Sequence, residues 1–346
     1  MTPQGALSDD ALRRLPKAEL HVHLDGSLRA DTMLELASER GVPMPAGDVE
    51  ALARYMVVDD AASLEEYLER FAVTLSVMQD ADALERIAFE CVMDHAAEGV
   101  RYVELRFCPL LNTERGLAPD AVLDAALRGM RRAEEHASIQ SQLIVCALRS
   151  HEFARTLEMA ELAIAYQNRG VCGFDIAGGE AGNPVVDHRE GFDLAAEAGV
   201  PITIHAGEGF GPESIRQALE VGHARRIGHG TRLFEDPRLL EEVRSRGVPL
   251  EVCLTSNVQT RVVQSHREHP ARRYADLGIP VTLGTDNRLM SGVTLVDEYR
   301  HARDHVLLTR DQLLAVARAG FEHAFIDESG RDALLATFDA ETAQLV

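Results

Sequence analysis

Eight short runs rich in β-branched and aliphatic residues recur along this chain, most of them separated by longer stretches with apolar residues at helical spacing. The runs are Ala18–Leu24, Tyr102–Phe107, Gln142–Leu148, Val171–Ile176, Pro201–His205, Arg226–His229, Leu250–Leu254 and Pro280–Thr285. Between them, Pro119–Ala137, Thr156–Gln167 and Arg189–Ala198 carry amphipathic patterns. Strands that alternate with helices pair in parallel, because each return crossover needs room for a helix. Eight such units predict an α/β protein closed into a (β/α)8 TIM barrel. The open alternative, a doubly wound sheet, lacks its usual mark, since no Gly-x-Gly-x-x-Gly turn follows an early strand. At 346 residues and 46% hydrophobic, with no low-complexity linker and no fixed-period repeat, the chain is expected to fold as a single domain over residues 1–346.

The connection from Gly26 to Gly99 is too long for one crossover helix. Helical patterns near Ala30–Arg40, Asp48–Tyr55 and Ser63–Met78 predict a lid inserted after the first strand and folded over the barrel mouth. In the last pattern Leu64, Tyr67, Leu68 and Phe71 fall at i, i+3, i+4 and i+7. Core packing is the ordinary fate of such a stripe. Its place after the first strand makes a wall of the substrate pocket the competing reading.

A net charge of −21 argues against nucleic acid or an anionic membrane as partner, since both need a basic surface. The five cysteines, Cys91, Cys108, Cys146, Cys172 and Cys253, are odd in number, scattered, and form no Cys-x-x-Cys pair, which predicts buried reduced thiols. Residues 1–14 hold no apolar stretch of signal-peptide length, and no apolar run long enough to span a membrane occurs. These features predict a soluble, cytoplasmic protein. Oligomeric state is not legible.

Polar residues end the strand-like runs. His21 and His23 flank Val22, so both imidazoles lie on one face of an extended segment. Gly178–Glu180 follows the fourth run, His205 and Glu208 lie at the fifth, His229 ends the sixth, and Asp286 follows the eighth. In a barrel all of these gather at the C-terminal face, where this fold builds active sites. Two histidines on strand one, a third on strand five and a carboxylate on strand eight make an N3O donor set. It suits one Zn²⁺ with a position left for water, whose pKa the metal would lower toward neutral.

The segments PKAELHVHLDGS (Pro16–Ser27), FDIAGGE (Phe174–Glu180), IHAGE (Ile204–Glu208), RIGHG (Arg226–Gly230), CLTSN (Cys253–Asn257) and GTDN (Gly284–Asn287) make the resemblance specific. Together, in this order, they resemble the adenosine deaminase family of the amidohydrolase superfamily, from Leu15 to about Phe325. The resemblance implies a zinc-dependent barrel that hydrolyses the 6-amino group of adenine nucleosides. It assigns His21, His23, His205 and Asp286 to one zinc per chain. Glu208 would protonate purine N1, which needs a carboxyl pKa raised by an apolar pocket. His229 would orient the attacking water, accept its proton and stabilise the hydroxide. Gly178 would offer its N–H to purine N3, and Asp25 would bind the ribose 5′-hydroxyl, a helix-capping role for Asp25 being the bland alternative. Ser256 and Asn257 are expected to hold the loop after strand seven, while His223, His266 and His269 are expected to be structural or surface groups.

Many related hydrolases bridge two metals with a modified lysine after the fourth strand. The only lysine here is Lys17, before strand one; Glu180 could in principle substitute as a bridge, but a single metal is the expected arrangement. Asn287 stands where better-known family members carry a second Asp facing purine N7; its amide can donate to N7 without being protonated. Gly179 likewise replaces a familiar Asp. The expected substrate is therefore adenosine or 2′-deoxyadenosine. The alternatives within this chemistry are aminodeoxyfutalosine, or less favourably free adenine. A large 5′ substituent would need space under the Leu64–Phe71 stripe and a cation such as Arg288 or Arg106. A non-catalytic nucleoside-binding protein would be expected to lack Glu208 or a ligand. The nucleic-acid deaminases carry a Cys-x-x-Cys zinc site absent here.

Overall fold

A computed structural model describes residues 6–59 and 64–345. Eight strands run β1 Lys17–His23, β2 Val100–Phe107, β3 Gln140–Leu148, β4 Val171–Ala177, β5 Thr203–Ala206, β6 Arg226–His229, β7 Leu250–Val252 and β8 Val281–Leu283. Each lies within a few residues of a run read from the sequence. They pair in parallel and in chain order, β1-β2-β3-β4 and β5-β6-β7-β8. Two single bridges, Val22 with Asp286 and Phe174 with Ile202, join the halves into a closed barrel. At the β1–β8 seam the His23 N–H donates to the Asp286 carbonyl at 2.7 Å, and the Asp286 N–H donates to the His21 carbonyl at 3.0 Å. The closure of the fold and the candidate metal residues therefore share the same backbone.

Outward-facing side chains such as Leu20, Val22, Val103 and Leu105 are fully buried beneath the outer helices. Each contributes on the order of 1.5–3 kcal/mol. Packing around the ring is close: a Cβ on Gly129, in the helix Pro119–Glu134, would stand 2.1 Å from the Glu85 carbonyl of the helix Ala81–Ala97. The five cysteines are free and buried, as expected. Among the described residues no helix is long and apolar enough to cross a membrane.

The β1–β2 connection holds the helices Ala30–Arg40, Val49–Met56, Leu64–Leu68, Phe71–Leu75 and Ala81–Ala97. The first two match the predicted patterns. The Ser63–Met78 pattern resolves into two short helices with Glu69 and Arg70 in a turn between them; Ser63 itself lies outside the described residues. The helix Ala81–Ala97, capped by the Asp80 side chain, is the true crossover to β2 and had not been singled out in the sequence. The earlier helices form the insertion.

Candidate active site

The i, i+2 spacing in β1 places His21 and His23 side by side in the barrel mouth, with Val22 turned into the core. Nε2 of His23 lies 3.0 Å from Nε2 of His205 and 3.3 Å from Oδ1 of Asp286. His21 Nε2 is buried without a hydrogen-bond partner, and stands 3.6 Å from the same carboxylate oxygen. Ring nitrogens that face one another and a carboxylate, with no donor to satisfy them, are what a cation would resolve. One donor atom each from His21, His205, His229 and Asp286 falls within 4.8 Å of the others. That group holds His229 where the sequence suggested His23. His23 Nε2 adjoins two members of the group, His205 and Asp286, and the His/His/His/Asp cluster suits a metal.

The bases of the ligand rings are fixed from below. His21 Nδ1 donates to Glu251 at 2.9 Å, and His205 Nδ1 lies 2.9 Å from an Asp175 oxygen. Buried Arg106 donates to both carboxylates, at 2.9 Å each, and Arg226 donates to Glu251 at 2.6 Å and also binds Glu104. Hydrogen bonds at Nδ1 leave Nε2 as the lone-pair nitrogen of both rings. Ser256 donates to the second oxygen of Asp286 at 2.6 Å. Asp286 and His229 are two of the few non-glycine residues with positive φ, at 58° and 61°. Such strain concentrates where a side chain must be aimed.

His229 is governed by a relay. The Ala271 N–H donates to His269 Nδ1 at 3.1 Å, so neutral His269 carries its hydrogen on Nε2. That nitrogen donates to Asn257 Oδ1 at 3.1 Å, which turns the Asn257 amide nitrogen to His229 Nδ1 at 3.1 Å. Burial lowers the pKa of His269 to about 3, with His266 adding to the effect, which keeps it in the neutral form the relay needs. Burial likewise holds His229 well below the usual imidazole range. Neutral His229 therefore bears its hydrogen on Nε2. It can orient and stabilise an oxygen by donation, but Nε2 offers no lone pair, which restricts the proton-accepting role expected from the sequence. The same nitrogen lies 3.5 Å from Oε2 of Glu208. The Glu208 carboxyl is pushed well above the carboxylate range by burial, then by the charges of Asp286 and Glu180.

These groups line one wall of a cavity of about 650 Å³. Leu64, Tyr67, Leu68 and Phe71 also line the cavity, in keeping with the pocket reading of the stripe, as do Asp25, Gly178 and Asn287. Gly178 has φ +96°, and a methyl group there would meet nothing nearer than the Arg149 backbone nitrogen at 3.8 Å. Asp25 Oδ1 is buried and unpartnered, and burial raises its pKa to about 7. The helix after it starts at Ala30 behind Arg29 with no side-chain cap, so Asp25 is not a helix cap. No Arg or Lys lines the cavity among the described residues. Arg106 is spent on Asp175 and Glu251, and Arg288 is bound to Glu98, so neither is the cation considered for a 5′ substituent. Glu180 is no metal bridge, because both its oxygens accept backbone N–H groups.

The adenosine deaminase family model matches residues 16–341. The chain belongs to the adenosine deaminase family. An adenosine deaminase of Clostridium acetobutylicum is 39% identical over 326 residues, which cover 94% of this chain and 97% of that one. Among solved structures, an adenine deaminase from Arthrobacter aurescens superposes with TM-score 0.88 at 26% identity, covering 95% of this chain and 98% of that chain. An amidohydrolase from Burkholderia ambifaria with bound zinc superposes with TM-score 0.87 at 25% identity, covering 100% and 98%.

In this adenosine deaminase family member, the residues that support the ligands leave the weakest trace in the sequence. Asp175, Glu251 and Arg106 sit inside apolar strand runs, where a lone charge was the only available signal. His269 and Thr260 lie beyond the CLTSN segment and reach the site only because the helix Leu254–Gln259 folds back across the mouth. His223 and His266 stay where they were expected: one pairs with Asp193 at the surface, the other stacks on His301.

Proposed function

We propose that the chain hydrolyses the 6-amino group of adenosine and 2′-deoxyadenosine, giving the corresponding inosine and ammonia. As a hydrolase of C–N bonds it needs an acid, an aimed water and a grip on the purine. The observation that carries this reading is Glu208: a buried carboxyl, biased toward its protonated form by burial and by the charges of Asp286 and Glu180, in one cavity with the His/Asp cluster and 3.5 Å from His229 Nε2.

We assign one Zn²⁺ to His21, His23, His205 and Asp286; when bound it supplies Lewis-acid activation of the attacking water. The zinc in the Burkholderia ambifaria neighbour supports that choice. Glu208 gives its proton to purine N1, which draws electron density from C6; its carboxylate then regains a proton from the attacking water, and the water's other proton goes to the departing amine, so that ammonia leaves as C6 becomes a carbonyl. His229 donates from Nε2 to the oxygen that adds at C6 and holds it as charge develops there. Gly178 offers its N–H to N3, Asn287 its amide hydrogen to N7, and Asp25 accepts the 5′-hydroxyl. Leu64, Tyr67, Leu68 and Phe71 cover the base and exclude bulk water. Free adenine would leave Asp25 unpartnered, and a 5′-phosphate would find no cation among the described residues that line the cavity.

The test is a panel of adenosine, 2′-deoxyadenosine, adenine, AMP and aminodeoxyfutalosine, offered to zinc-loaded protein and followed by the ultraviolet change as amino becomes oxo. Turnover of the two unmodified nucleosides above the rest is expected. Faster turnover of adenine or of aminodeoxyfutalosine would replace the substrate, and no turnover of any would end the deaminase reading.

A further inference from the structure

Two loops meet the purine from different strands. The loop after β4 carries Gly178, and the loop after β5 carries Glu208, whose acid must reach N1 while the Gly178 N–H reaches N3. Nothing in the strand pairing fixes their spacing at the mouth, because β4 and β5 are joined by the single bridge Phe174–Ile202 deep below it. Glu180 makes the connection. Its Oε2 accepts the Gly207 N–H at 3.0 Å, and its Oε1 accepts the N–H groups of Glu208 at 2.8 Å and Gly209 at 3.0 Å.

Three consecutive amides turned onto one carboxylate need an unusual backbone, and Gly207 supplies it with φ +74°. The clip is braced on both sides. Arg149 donates to the His205 carbonyl and to the Asn183 carbonyl, both at 2.7 Å, and the Asn183 amide donates back to the Gly179 carbonyl at 3.0 Å. The lid closes over it: a Cβ on Gly209 would stand 3.0 Å from Leu64 Cδ2 and 3.8 Å from Glu180 Cβ. Glu180 is 3% exposed, so the carboxylate is committed to these amides rather than to solvent.

We propose that Glu180 is a positioning residue that clips the Gly178 loop to the Glu208 loop and so sets the distance between the N3 and N1 contacts. This rests on the deaminase reading above. The predicted signature is a loss seen only when a ligand uses both contacts at once. A displacement of about 1 Å between them is enough for a loss of about 100-fold.

The experiment uses zinc-loaded wild type and Glu180→Gln, which keeps the volume but turns an amide N–H₂ toward backbone donors. Adenosine gives kcat and KM; 1-deazaadenosine, which lacks N1, and 3-deazaadenosine, which lacks N3, give inhibition constants. Metal content and thermal unfolding are measured in parallel. Expected are a fall in kcat/KM for adenosine of about 100-fold, carried mostly by kcat, and inhibition constants within about threefold of wild type, with metal content unchanged. Inhibition constants that rise in step with the loss on adenosine would reduce Glu180 to general loop support and overturn the proposal. So would an unaltered kcat/KM. If Glu180→Gln does not fold, Glu180→Asp, which withdraws the carboxylate by one methylene, gives the same comparison. A wild type that neither turns over adenosine nor binds either deaza-nucleoside would overturn the deaminase reading itself, and the clip's purpose with it. A wild type that does both, with a variant lacking the selective loss, would overturn the clip alone.

Discussion

The Asn257 side chain donates to His229 Nδ1 at 3.1 Å, and its orientation is dictated by a backbone N–H two contacts away, at Ala271. An imidazole that accepts at Nδ1 is fixed in the Nε2–H tautomer. Asn257→Asp reverses this, because a carboxylate needs Nδ1–H and would expose a lone pair on Nε2. The expected result is a loss in kcat of about 100-fold or more with the fold retained, since wrong-tautomer variants cost that much in other histidine-dependent enzymes. Histidine ¹⁵N shifts in the two proteins report the tautomer directly. Identical shifts would show that the relay does not govern His229.

Glu208→Gln removes the acid and keeps the shape. Turnover is expected to fall by at least ~10²–10⁴-fold with metal content intact. The pH dependence follows from the direction of the shift. Because burial and the neighbouring carboxylates raise the Glu208 pKa well above its ordinary 4.5, the proton is held to higher pH than on a free glutamate, and kcat is expected to fall as pH rises through the raised pKa. A variant as active as wild type would remove Glu208 from the chemistry.

Asp25 should trade stability for binding. Its carboxyl, raised from 3.8 to about 7 by burial, favours the neutral form in the folded state. The stabilisation from that neutral form is complete below about 3.8 and is lost as pH rises through about 7, a difference of ~4 kcal/mol. Asp25→Asn, uncharged at every pH, is therefore expected to match wild type in thermal unfolding at pH 5 to within a few degrees and to exceed it at pH 8. Its KM for adenosine should rise and its KM for 5′-deoxyadenosine should not. Melting curves at the two pH values and the paired KM values decide it.

The barrel and the residues of its mouth were largely legible because both are local: strand runs announce themselves by β-branched composition, His21 and His23 lie near the end of the first, His205 and His229 end the fifth and sixth, and Asp286 follows the eighth. What was not legible is long-range. Asp175 and Glu251 look like stray charges in apolar strands until closure of the barrel sets them beneath His205 and His21, with Arg106 between them. The third lid pattern resembles one helix because periodicity does not register the turn at Glu69–Arg70. The crossover helix Ala81–Ala97 leaves only a weak boundary signal, its Asp80 cap following directly on the third lid pattern with no strand or Gly/Pro break between them.

That buried layer should control metal affinity. Asp175→Asn keeps an acceptor for His205 Nδ1 but weakens it and leaves Arg106 with one carboxylate. Outer partners of this kind are worth about 10–100-fold in metal binding. Competition against a chromophoric chelator is expected to show that loss, and adenosine turnover at saturating zinc should recover most of its wild-type value. Unchanged zinc affinity would confine Asp175 to packing.

Asn287 stands where the resemblance to the family places an Asp, and its surroundings define what the exchange does. The side chain is 3% exposed and packs so tightly on Gly26 that a Cβ there would meet Asn287 Oδ1 at 1.9 Å. The amide oxygen therefore lies against the β1 loop, while the amide nitrogen donates to the Tyr67 hydroxyl and has a second hydrogen for the purine. An amide donates to N7 at any pH, whereas an aspartate donates only when protonated. Asn287→Asp fits the same space, so folding should be unaffected. Its kcat/KM for adenosine is expected to stay within about tenfold of wild type at pH 6 and to decline more steeply than wild type toward pH 8.5, because the donor is lost as the new carboxyl ionises. Parallel pH profiles for the two proteins would show that N7 does not rely on this residue, and the base would then be held by Gly178 and Glu208 alone.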